Sequence, residues 1–266
     1  MKMINNPKLI LNFQTYNSLQ NLENLLEFFC KSDLNIKKIF VTDNNSNIDY
    51  DDKILLLKKL REKYFKNILF VLNSKNYGIG GSQKIIHEVI KRENFDYFVN
   101  LQTSNRYHPD LLVKDIIKNL KDKKEYYLFS RFLIKENTKN YNSLRKFANK
   151  IFVILTKILT DTHFSDPGQS MYLINKERFD ELNLEDLKKI TNGSHFPHFF
   201  NIKMYNKKLN YQEIPIVWRE GNIRSHLNSF SYPIILLFSL LRFFFTKNFF
   251  LQKPVDFQYK IIDDNY

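Results

Sequence analysis

Short apolar runs in this chain alternate with segments in which apolar residues recur every three or four positions. The runs predict buried strands, and the recurring positions predict amphipathic helices. The predicted strands of the first half are Leu9–Phe13, Lys38–Thr42, Ile68–Leu72, Tyr97–Leu101 and Tyr126–Phe132. The predicted helices are Leu19–Phe29, Asp51–Tyr64, Ser82–Arg92, Asp110–Leu120 and Ser143–Leu159. This rhythm predicts an α/β domain with a mainly parallel sheet that is flanked by helices on both faces.

The rhythm loosens in the second half of the chain. Gln169–Ile174 is short and strand-like, and Lys208–Trp218 is a late strand that carries Pro215. The last region is different, because Tyr232–Phe245 is almost entirely apolar. This run is shorter than the ~20 residues that a membrane-spanning helix needs.

Two interpretations of that apolar run remain open. It is either a buried helix that covers the core or a helix that lies in a membrane interface, with Arg242 and Lys247 directed to lipid head groups. We favour the interface, because the chain carries a net charge of +13 and anionic lipids attract basic proteins. The expected organisation is a main domain over residues 1–228 and an apolar, membrane-associating helical tail over residues 229–266.

The charge also limits the class of partner. A surplus of basic residues favours an anionic partner, such as a phosphorylated substrate, an anionic membrane surface or a nucleic acid. We expect no nucleic acid, because the chain has no zinc-finger spacing, RNA-binding signature or compact basic helix. Cys30 is the single cysteine, and the first residues lack a secretory signal. These features predict a cytoplasmic protein that is peripheral at the inner face of the membrane.

Three glycines follow the strand Ile68–Leu72, at positions 78, 80 and 81. A strand, a glycine-rich turn and a helix form a unit that places ligands at the carboxyl ends of its strands. A dinucleotide-binding fold is the obvious rival, but its glycines belong after the first strand. The turn after Leu9–Phe13 contains no glycine.

Polar loops follow the first two strands as well. The first loop is Gln14-Thr15-Tyr16-Asn17, and the second begins with Asp43. The carboxylate of Asp43 is suited to accept a hydrogen bond from a ring N–H of a nucleobase. Either loop by itself also fits ordinary turn chemistry, in which Asn and Asp are common.

The order of these pieces resembles a known family. The motifs are T-Y-N after the first strand, D-N-N-S after the second, N-Y-G-x-G-G before a helix, and L-Q-T-S-N-R-Y-H-P after the fourth. Together with Ser130-Arg131-Phe132 and Ser165-Asp166-Pro167, they resemble family 2 glycosyltransferases of the GT-A fold. The resemblance runs from about Leu9 to Ser225 and points to the branch of dolichol-phosphate mannosyltransferase and bacterial polyprenyl-phosphate glycosyltransferases.

The resemblance implies an inverting transfer of a sugar from a nucleotide-sugar donor to a lipid phosphate or a surface glycan at the cytoplasmic membrane face. It also implies roles for matched residues. The residues implied to bind the nucleotide are Thr15, Tyr16, Asn17, Asp43, Asn76, Gly78 and Gly80. Those implied to act on the acceptor or the phosphates are Asp166, Arg131, Arg219 and Arg224. Asp166 is the candidate general base for a sugar hydroxyl, whereas a lipid phosphate needs orientation more than deprotonation.

The main departure from the family lies at Gln102-Thr103-Ser104, followed by Arg106. Most of the family has Asp-x-Asp here, and its last carboxylate holds Mg²⁺ or Mn²⁺ against the diphosphate. Gln102 and Ser104 are neutral and are poor primary ligands for these ions. Three explanations stay open: cationic side chains such as Arg106 replace the metal, a carboxylate elsewhere supplies it, or transfer has been lost. In the last case the protein is a non-catalytic nucleotide-sugar-binding protein or scaffold.

Overall fold

The computed structural model describes residues 6–138, 142–219, 231–246 and 252–263. The strands in these ranges are β1 (Leu9–Thr15), β2 (Ile36–Asp43), β3 (Ile68–Asn73), β4 (Tyr97–Gln102), β5 (Tyr126–Ser130), β6 (Tyr172–Asn175), β7 (Tyr211–Pro215) and β8 (Tyr259–Ile262). The α-helices are α1 (Leu22–Cys30), α2 (Tyr50–Lys63), α3 (Gly78–Ile90), α4 (Pro109–Asn119), α5 (Ser143–Thr160), α6 (Lys176–Asp180), α7 (Leu184–Lys189), α8 (Phe196–Asn206) and α9 (Ser231–Thr246).

The strands form one sheet in the order β7-β5-β6-β4-β1-β2-β3-β8. β1 pairs in parallel with β2 and β4, β2 with β3, and β5 with β7. The pairings β4–β6, β5–β6 and β3–β8 are antiparallel. Four of the seven pairings in the described part of the chain are therefore parallel, and the predicted mainly parallel α/β architecture is confirmed.

Side chains that alternate along the strands supply two cores, one on each face of the sheet. Leu9, Leu11 and Phe13 of β1 pack with α1, α2 and α4. Ile10 of the same strand faces the other core, which contains residues of α3, α8 and α9. In α1 the buried positions are 22, 25, 26 and 29, the spacing of one helical face. The helices thus cover both faces, as predicted.

A buried ladder of polar side chains crosses the middle of the sheet. Thr42 Oγ1 donates to Asn12 Oδ1 at 2.7 Å, and Asn12 Nδ2 donates to Asn100 Oδ1 at 2.8 Å. Asn100 Nδ2 in turn donates to the carbonyl oxygen of Ser170 at 2.8 Å. Each amide is satisfied, so the ladder avoids the penalty of an unpaired buried group. It fixes Ser170 beside the carboxyl end of β4.

Several boundaries differ from the prediction. α3 begins at Gly78, four residues before the predicted Ser82. β5 ends at Ser130 because the next backbone amide donates to the Asp166 carboxylate instead of to a neighbouring strand. β7 is shorter than predicted. It lies at the edge of the sheet, where Pro215 is tolerated.

The C-terminal region contributes to the main sheet and to its core. β8, which was not predicted, pairs with the edge of β3. Leu236, Leu240 and Phe243 of α9 are buried in the second core. The expected division of the chain at residue 228 stays a prediction. Among the described residues, no helix is both long and apolar enough to cross a bilayer.

Candidate active site

A cavity of about 630 Å³ opens at the carboxyl ends of β1 and β4. The loops that follow β1, β4 and β5 line it, as do the segment Asp166–Ser170 and residues of α5 and α9. Ligand sites of open α/β sheets lie in this position, outside the carboxyl ends of the strands. The predicted loops therefore meet around one cavity.

Hydroxyl and amide contacts hold the loop after β1. Ser18 Oγ lies 3.1 Å from Thr15 Oγ1 and 2.6 Å from Thr103 Oγ1, so it joins the loops after β1 and β4. Asn17 Oδ1 accepts a hydrogen bond from the backbone amide of Asn47 at 2.8 Å. This bond ties the loop after β1 to the loop after β2. Thr15, Tyr16 and Asn17 all line the cavity, and Tyr16 is exposed.

A second group of amide side chains joins β2, β3 and the glycine turn. Asn44 Nδ2 donates to Asn76 Oδ1 at 2.7 Å. Asn76 Oδ1 also accepts from the amide of Gly78 at 2.9 Å. Asn44, Asn76 and Gly78 line the cavity together. These contacts fix the wall that was predicted beside the nucleotide.

The two predicted glycines have different surroundings. Gly78 has φ +76°, a conformation that favours glycine. Gly80 is not among the cavity-lining residues, and a Cβ there would collide with Phe196 and come within 2.9 Å of the Asn192 carbonyl oxygen. The same oxygen accepts from the amide of Gly80 at 2.8 Å. In the structure, Gly80 permits a close approach of the loop that precedes α8.

Asp43 lies at the end of β2 and is fully buried. Its Oδ2 forms an ion pair with Lys53 Nζ at 2.9 Å, and its Oδ1 accepts from the amide of Ser46 at 3.0 Å. Asp43 is not among the residues that line the cavity. Its contact with a nucleobase stays a prediction, and the structure shows it holding the turn that starts the loop after β2.

The loop after β4 has the composition that departs from Asp-x-Asp. Gln102 Nε2 donates to Ser170 Oγ at 2.5 Å, and Ser104 Oγ accepts from the amide of Arg106 at 3.2 Å. Gln102, Ser104 and Arg106 all line the cavity. The position of this loop agrees with the prediction, and its chemistry is that of neutral and cationic groups.

Arg131 and Asp166 form a bidentate ion pair at the cavity wall. Arg131 Nε donates to Asp166 Oδ2 and Nη2 donates to Oδ1, both at 2.7 Å. The backbone amide of Arg131 also donates to Oδ2, at 3.1 Å. Both residues line the cavity, so the structure brings two predicted catalytic residues together. The carboxylate is nearly buried, and each of its oxygens already accepts a charge-assisted hydrogen bond.

The guanidinium groups of Arg106 and Arg131 both lie by the ring of Trp218, with Cζ atoms 6.0 Å and 5.4 Å from its centroid. Trp218 is buried and lines the cavity. Arg219 is exposed and is not among the lining residues, and its backbone amide donates to the Arg106 carbonyl oxygen at 2.5 Å. Arg224 lies outside the described residues. The roles of Arg219 and Arg224 stay predictions.

The comparisons with known proteins agree with this geometry. The model of glycosyl transferase family 2 matches residues 14–182, which contain the loops after β1 to β5 and the Arg131–Asp166 pair. The chain belongs to glycosyl transferase family 2. The comparison with curated proteins gives no match.

Solved structures show the same fold. Glucosyl-3-phosphoglycerate synthase from Mycobacterium tuberculosis, in complex with Mn²⁺, UDP and glucosyl-3-phosphoglycerate, superimposes with a TM-score of 0.58 at 12% identity. The match covers 90% of this chain and 80% of the synthase chain. Its UDP complex gives 0.59 at 10% identity, with the same coverage. The predicted GT-A fold is confirmed, and the branch of the family is a separate question.

The residues of this family 2 glycosyltransferase do not fit the divalent ion that the family implies. Within the described ranges, no three His, Cys, Asp or Glu side chains come together as a metal site. Of the described lining residues, Asp166 alone carries a carboxylate, and Arg131 occupies both of its oxygens. Mg²⁺ and Mn²⁺ prefer anionic oxygen ligands, which the loop after β4 does not offer.

Two histidines, one just before α8 and one in its first turn, join the cavity wall to neighbouring helices. His195 Nε2 lies 3.0 Å from the Tyr232 carbonyl oxygen, and His198 Nε2 lies 2.8 Å from Thr156 Oγ1. Burial lowers the pKa of His198 to about 3, so its imidazole is neutral at physiological pH. These contacts tie α8 to α9 and α5.

Sequence reasoning missed several residues of the glycosyltransferase cavity. Gln14 Oε1 and Gln169 Nε2 are buried and make no hydrogen bond within the described part of the chain. Both residues line the cavity. Trp218 is the single tryptophan of the chain and stands beside the predicted Arg219, a position that a pattern search could have noted. Gln169 carries no such signal.

Proposed function

We propose that this protein transfers a sugar from a nucleoside diphosphate donor, bound in the cavity, to a phosphate group of a membrane lipid. The observation that carries the proposal is the composition of the cavity. Its two ends differ, with polar neutral loops around Tyr16 at one end and the guanidinium groups of Arg106 and Arg131 at the other. A nucleoside diphosphate sugar has a matching division between a neutral nucleoside and an anionic diphosphate.

The lining residues can divide the work of an inverting transfer. Thr15 and Tyr16 contact the nucleoside, and Gln14 and Gln169 offer hydrogen bonds to sugar hydroxyls. The acceptor oxygen attacks the anomeric carbon from the face opposite the diphosphate, and the bond from that carbon to the diphosphate oxygen breaks. Fixed guanidinium groups stabilise the negative charge that develops on the departing diphosphate.

The state of Asp166 favours a phosphate acceptor over a sugar hydroxyl. A hydroxyl needs a general base within hydrogen-bond reach. Both oxygens of Asp166 are held by Arg131. A lipid phosphate already carries an anionic oxygen and needs only to be oriented. We therefore place lipid phosphate ahead of a surface glycan as the acceptor.

An exposed apolar surface on α5 supports a membrane location for the acceptor. Phe147, Ile151, Ile154 and Ile158 recur at the spacing of one helical face, and Phe147 and Ile158 are 61% and 67% exposed. Exposed basic residues flank this ridge at positions 145, 150 and 157. An apolar ridge with basic flanks is suited to the interface of an anionic membrane.

The apolar ridge continues on α9, which packs against α5. The exposed side chains of α9 include Ile234, Phe238 and Phe245, the last of them 78% exposed. Other residues of the same two helices line the cavity, among them Phe152 and Leu236. A lipid held at this surface would therefore have its phosphate near the cavity. The protein would be peripheral at the cytoplasmic face.

A second candidate function is nucleotide-sugar binding without transfer, as a scaffold. The neutral loop at Gln102 and Ser104 favours it, because the carboxylates that serve catalysis in most of the family are missing. Both candidates use the same donor cavity. They differ in turnover alone.

The test of transfer uses the full chain, a panel of UDP-, GDP- and dTDP-sugars, and polyprenyl phosphate in vesicles. We expect glycolipid formation with one donor of the panel. Donor binding without any product would support the scaffold. Asp166→Asn should keep turnover on a phosphate acceptor at saturating donor, since that acceptor needs no base, while the weaker orientation of Arg131 raises the KM for the donor. Loss of turnover at unchanged donor affinity would return Asp166 to the mechanism.

The membrane surface is tested by co-sedimentation with vesicles that contain phosphatidylserine, an anionic lipid of the cytoplasmic leaflet, and with neutral vesicles. We expect the protein to bind the anionic vesicles and Ile154→Asp to weaken that binding several-fold. Leu55→Asp is the matched control, because Leu55 is 69% exposed on α2 and lies on no such ridge. Equal binding of both variants would remove the α5 ridge from the membrane surface.

A further inference from the structure

We propose that Arg106 and Arg131, positioned around Trp218, hold the donor diphosphate and that donor binding needs no divalent metal ion. This inference rests on the proposed function, because it concerns the donor of that transfer. It selects one of the three explanations for the neutral Gln102-Thr103-Ser104 loop.

The charge of the cavity is opposite to that of a metal site. Among its described lining residues, the formally charged side chains are Arg106, Arg131 and Asp166. The balance is positive, whereas sites for Mg²⁺ or Mn²⁺ gather carboxylates. The net positive charge of these side chains would repel a divalent metal ion and attract a diphosphate.

Trp218 fixes both guanidinium groups at one place. Its backbone amide donates to the carbonyl oxygen of Asn137 at 3.0 Å, and it bridges to Tyr107 in the loop after β4. Both guanidinium groups lie within 6.0 Å of its ring centroid, the range of a cation–π contact. The two groups come from the loops after β4 and β5, and one diphosphate between them can contact both.

Asp166 orients one of these groups. Two of the five N–H donors of the Arg131 guanidinium go to Asp166, from Nε and Nη2. This bidentate contact sets the plane of the guanidinium group. In this arrangement Asp166 is a positioning residue, and its carboxylate serves the arginine and not a metal ion.

Trp218 also provides the readout, because it is the single tryptophan of the chain. Fluorescence of the full chain is titrated with UDP, GDP and dTDP, with the matching nucleosides and with pyrophosphate, in EDTA and in Mg²⁺. We expect the best diphosphate to bind with the same affinity, within about twofold, in both conditions. Added salt should weaken this binding more than that of the nucleoside.

Arg106→Gln removes one guanidinium group without touching the Arg131–Asp166 pair. We expect it to weaken diphosphate binding about tenfold to a hundredfold, which is the range for a lost charge-assisted hydrogen bond, and to leave nucleoside binding unchanged. Arg92→Gln is the matched control, because Arg92 is exposed and does not line the cavity. If fluorescence of a variant is altered at the start, calorimetric titration replaces it.

The outcomes separate the two proposals. The proposal that Arg106 and Arg131 hold the diphosphate without a metal ion is overturned if Mg²⁺ strengthens diphosphate binding tenfold or more. It is also overturned if Arg106→Gln leaves that binding unchanged. The proposed donor site stands in both cases. Nucleotides that bind in neither condition overturn the proposed function itself. Electron paramagnetic resonance of Mn²⁺ gives an independent check, since the protein without nucleotide should leave the signal of the free ion unchanged.

Discussion

The two ends of the cavity are built from different chemistry. The end formed by the loops after β1, β2 and β3 is held by neutral side chains, such as Asn44, which donates to Asn76, and Asn17, which accepts from the backbone amide of Asn47. The other end is held by charges, with Arg131 paired to Asp166 and its Cζ 5.4 Å from the ring centroid of Trp218. Hydrogen bonds between neutral side chains fix the shape of the cavity, whereas fixed guanidinium groups give it an affinity for anions. The difference indicates a nucleoside at the first end and phosphates at the second.

The largest effect is expected at the charged end. Arg131→Met leaves the Asp166 carboxylate nearly buried without its partner, and we expect a loss of about 3 kcal/mol in the free energy of unfolding. The measurement is urea denaturation followed by circular dichroism. Adding Asp166→Asn to this variant should recover part of the loss, because the buried charge is then gone. A loss below about 0.5 kcal/mol would mean that the pair is a weak surface contact.

A smaller effect is expected from Asp43→Asn, beneath the neutral end. The variant leaves Lys53 buried without its counter-ion, although Ser46 can still bond to the amide. We expect a loss of about 2 kcal/mol in the free energy of unfolding. Because Asp43 does not line the cavity, the affinity for the best nucleoside should change less than about threefold. A tenfold loss of nucleoside affinity at unchanged stability would establish Asp43 as a base contact.

We expect Gly80→Ala to lower the free energy of unfolding by about 1.5 kcal/mol, which is within the range for an overpacked core. The new Cβ would press on Phe196 and on the Asn192 carbonyl oxygen at 2.9 Å. Gly168→Ala is the matched control, because its nearest atom, His198 Nδ1, is 3.8 Å away. Thermal unfolding of both variants measures the contrast. Equal melting temperatures would show that the loop before α8 moves without penalty.

The last effect is a pH dependence from the wall of the charged end, which at neutral pH is smaller than the other effects. The pKa of His198 is about 3 in the folded protein against an ordinary 6.5. Between these values the unfolded chain binds a proton that the folded protein does not, so stability falls as the pH falls. His198→Gln should remove up to about 1.4 kcal/mol per pH unit of this decline. Unfolding curves of both proteins from pH 7 to pH 4 test it, and parallel curves would contradict it.

The core of the fold was predictable because its signals are local. The run Ile68–Leu72 is apolar throughout, Leu9–Phe13 is apolar except for Asn12, and each became a strand of the sheet. β8 could not be predicted in this way. Its four residues are stabilised by pairing with β3, which lies far away along the chain, and such pairing leaves little trace in local pattern.

The residues of the candidate site also fall into two groups, those with a local signal in the sequence and those without one. Thr15, Tyr16, Gln102 and Arg106 stand at the ends of predicted strands, and all four line the cavity. Asp43 stands at an equivalent place but is buried against Lys53. Gln169 and Trp218 come from the second half of the chain, where the rhythm is loose. Their position depends on packing that no short segment specifies.

The sequence by itself determined the α/β class, the family and the missing carboxylates of the loop after β4. These follow from residue order and identity, which no folding step changes. Only the tertiary structure decided that Arg106 and Arg131 lie by one tryptophan, that Asp166 is held by Arg131, and that the ridge of α5 continues on α9. Each of these depends on residues far apart in the chain that approach only when the two cores are packed.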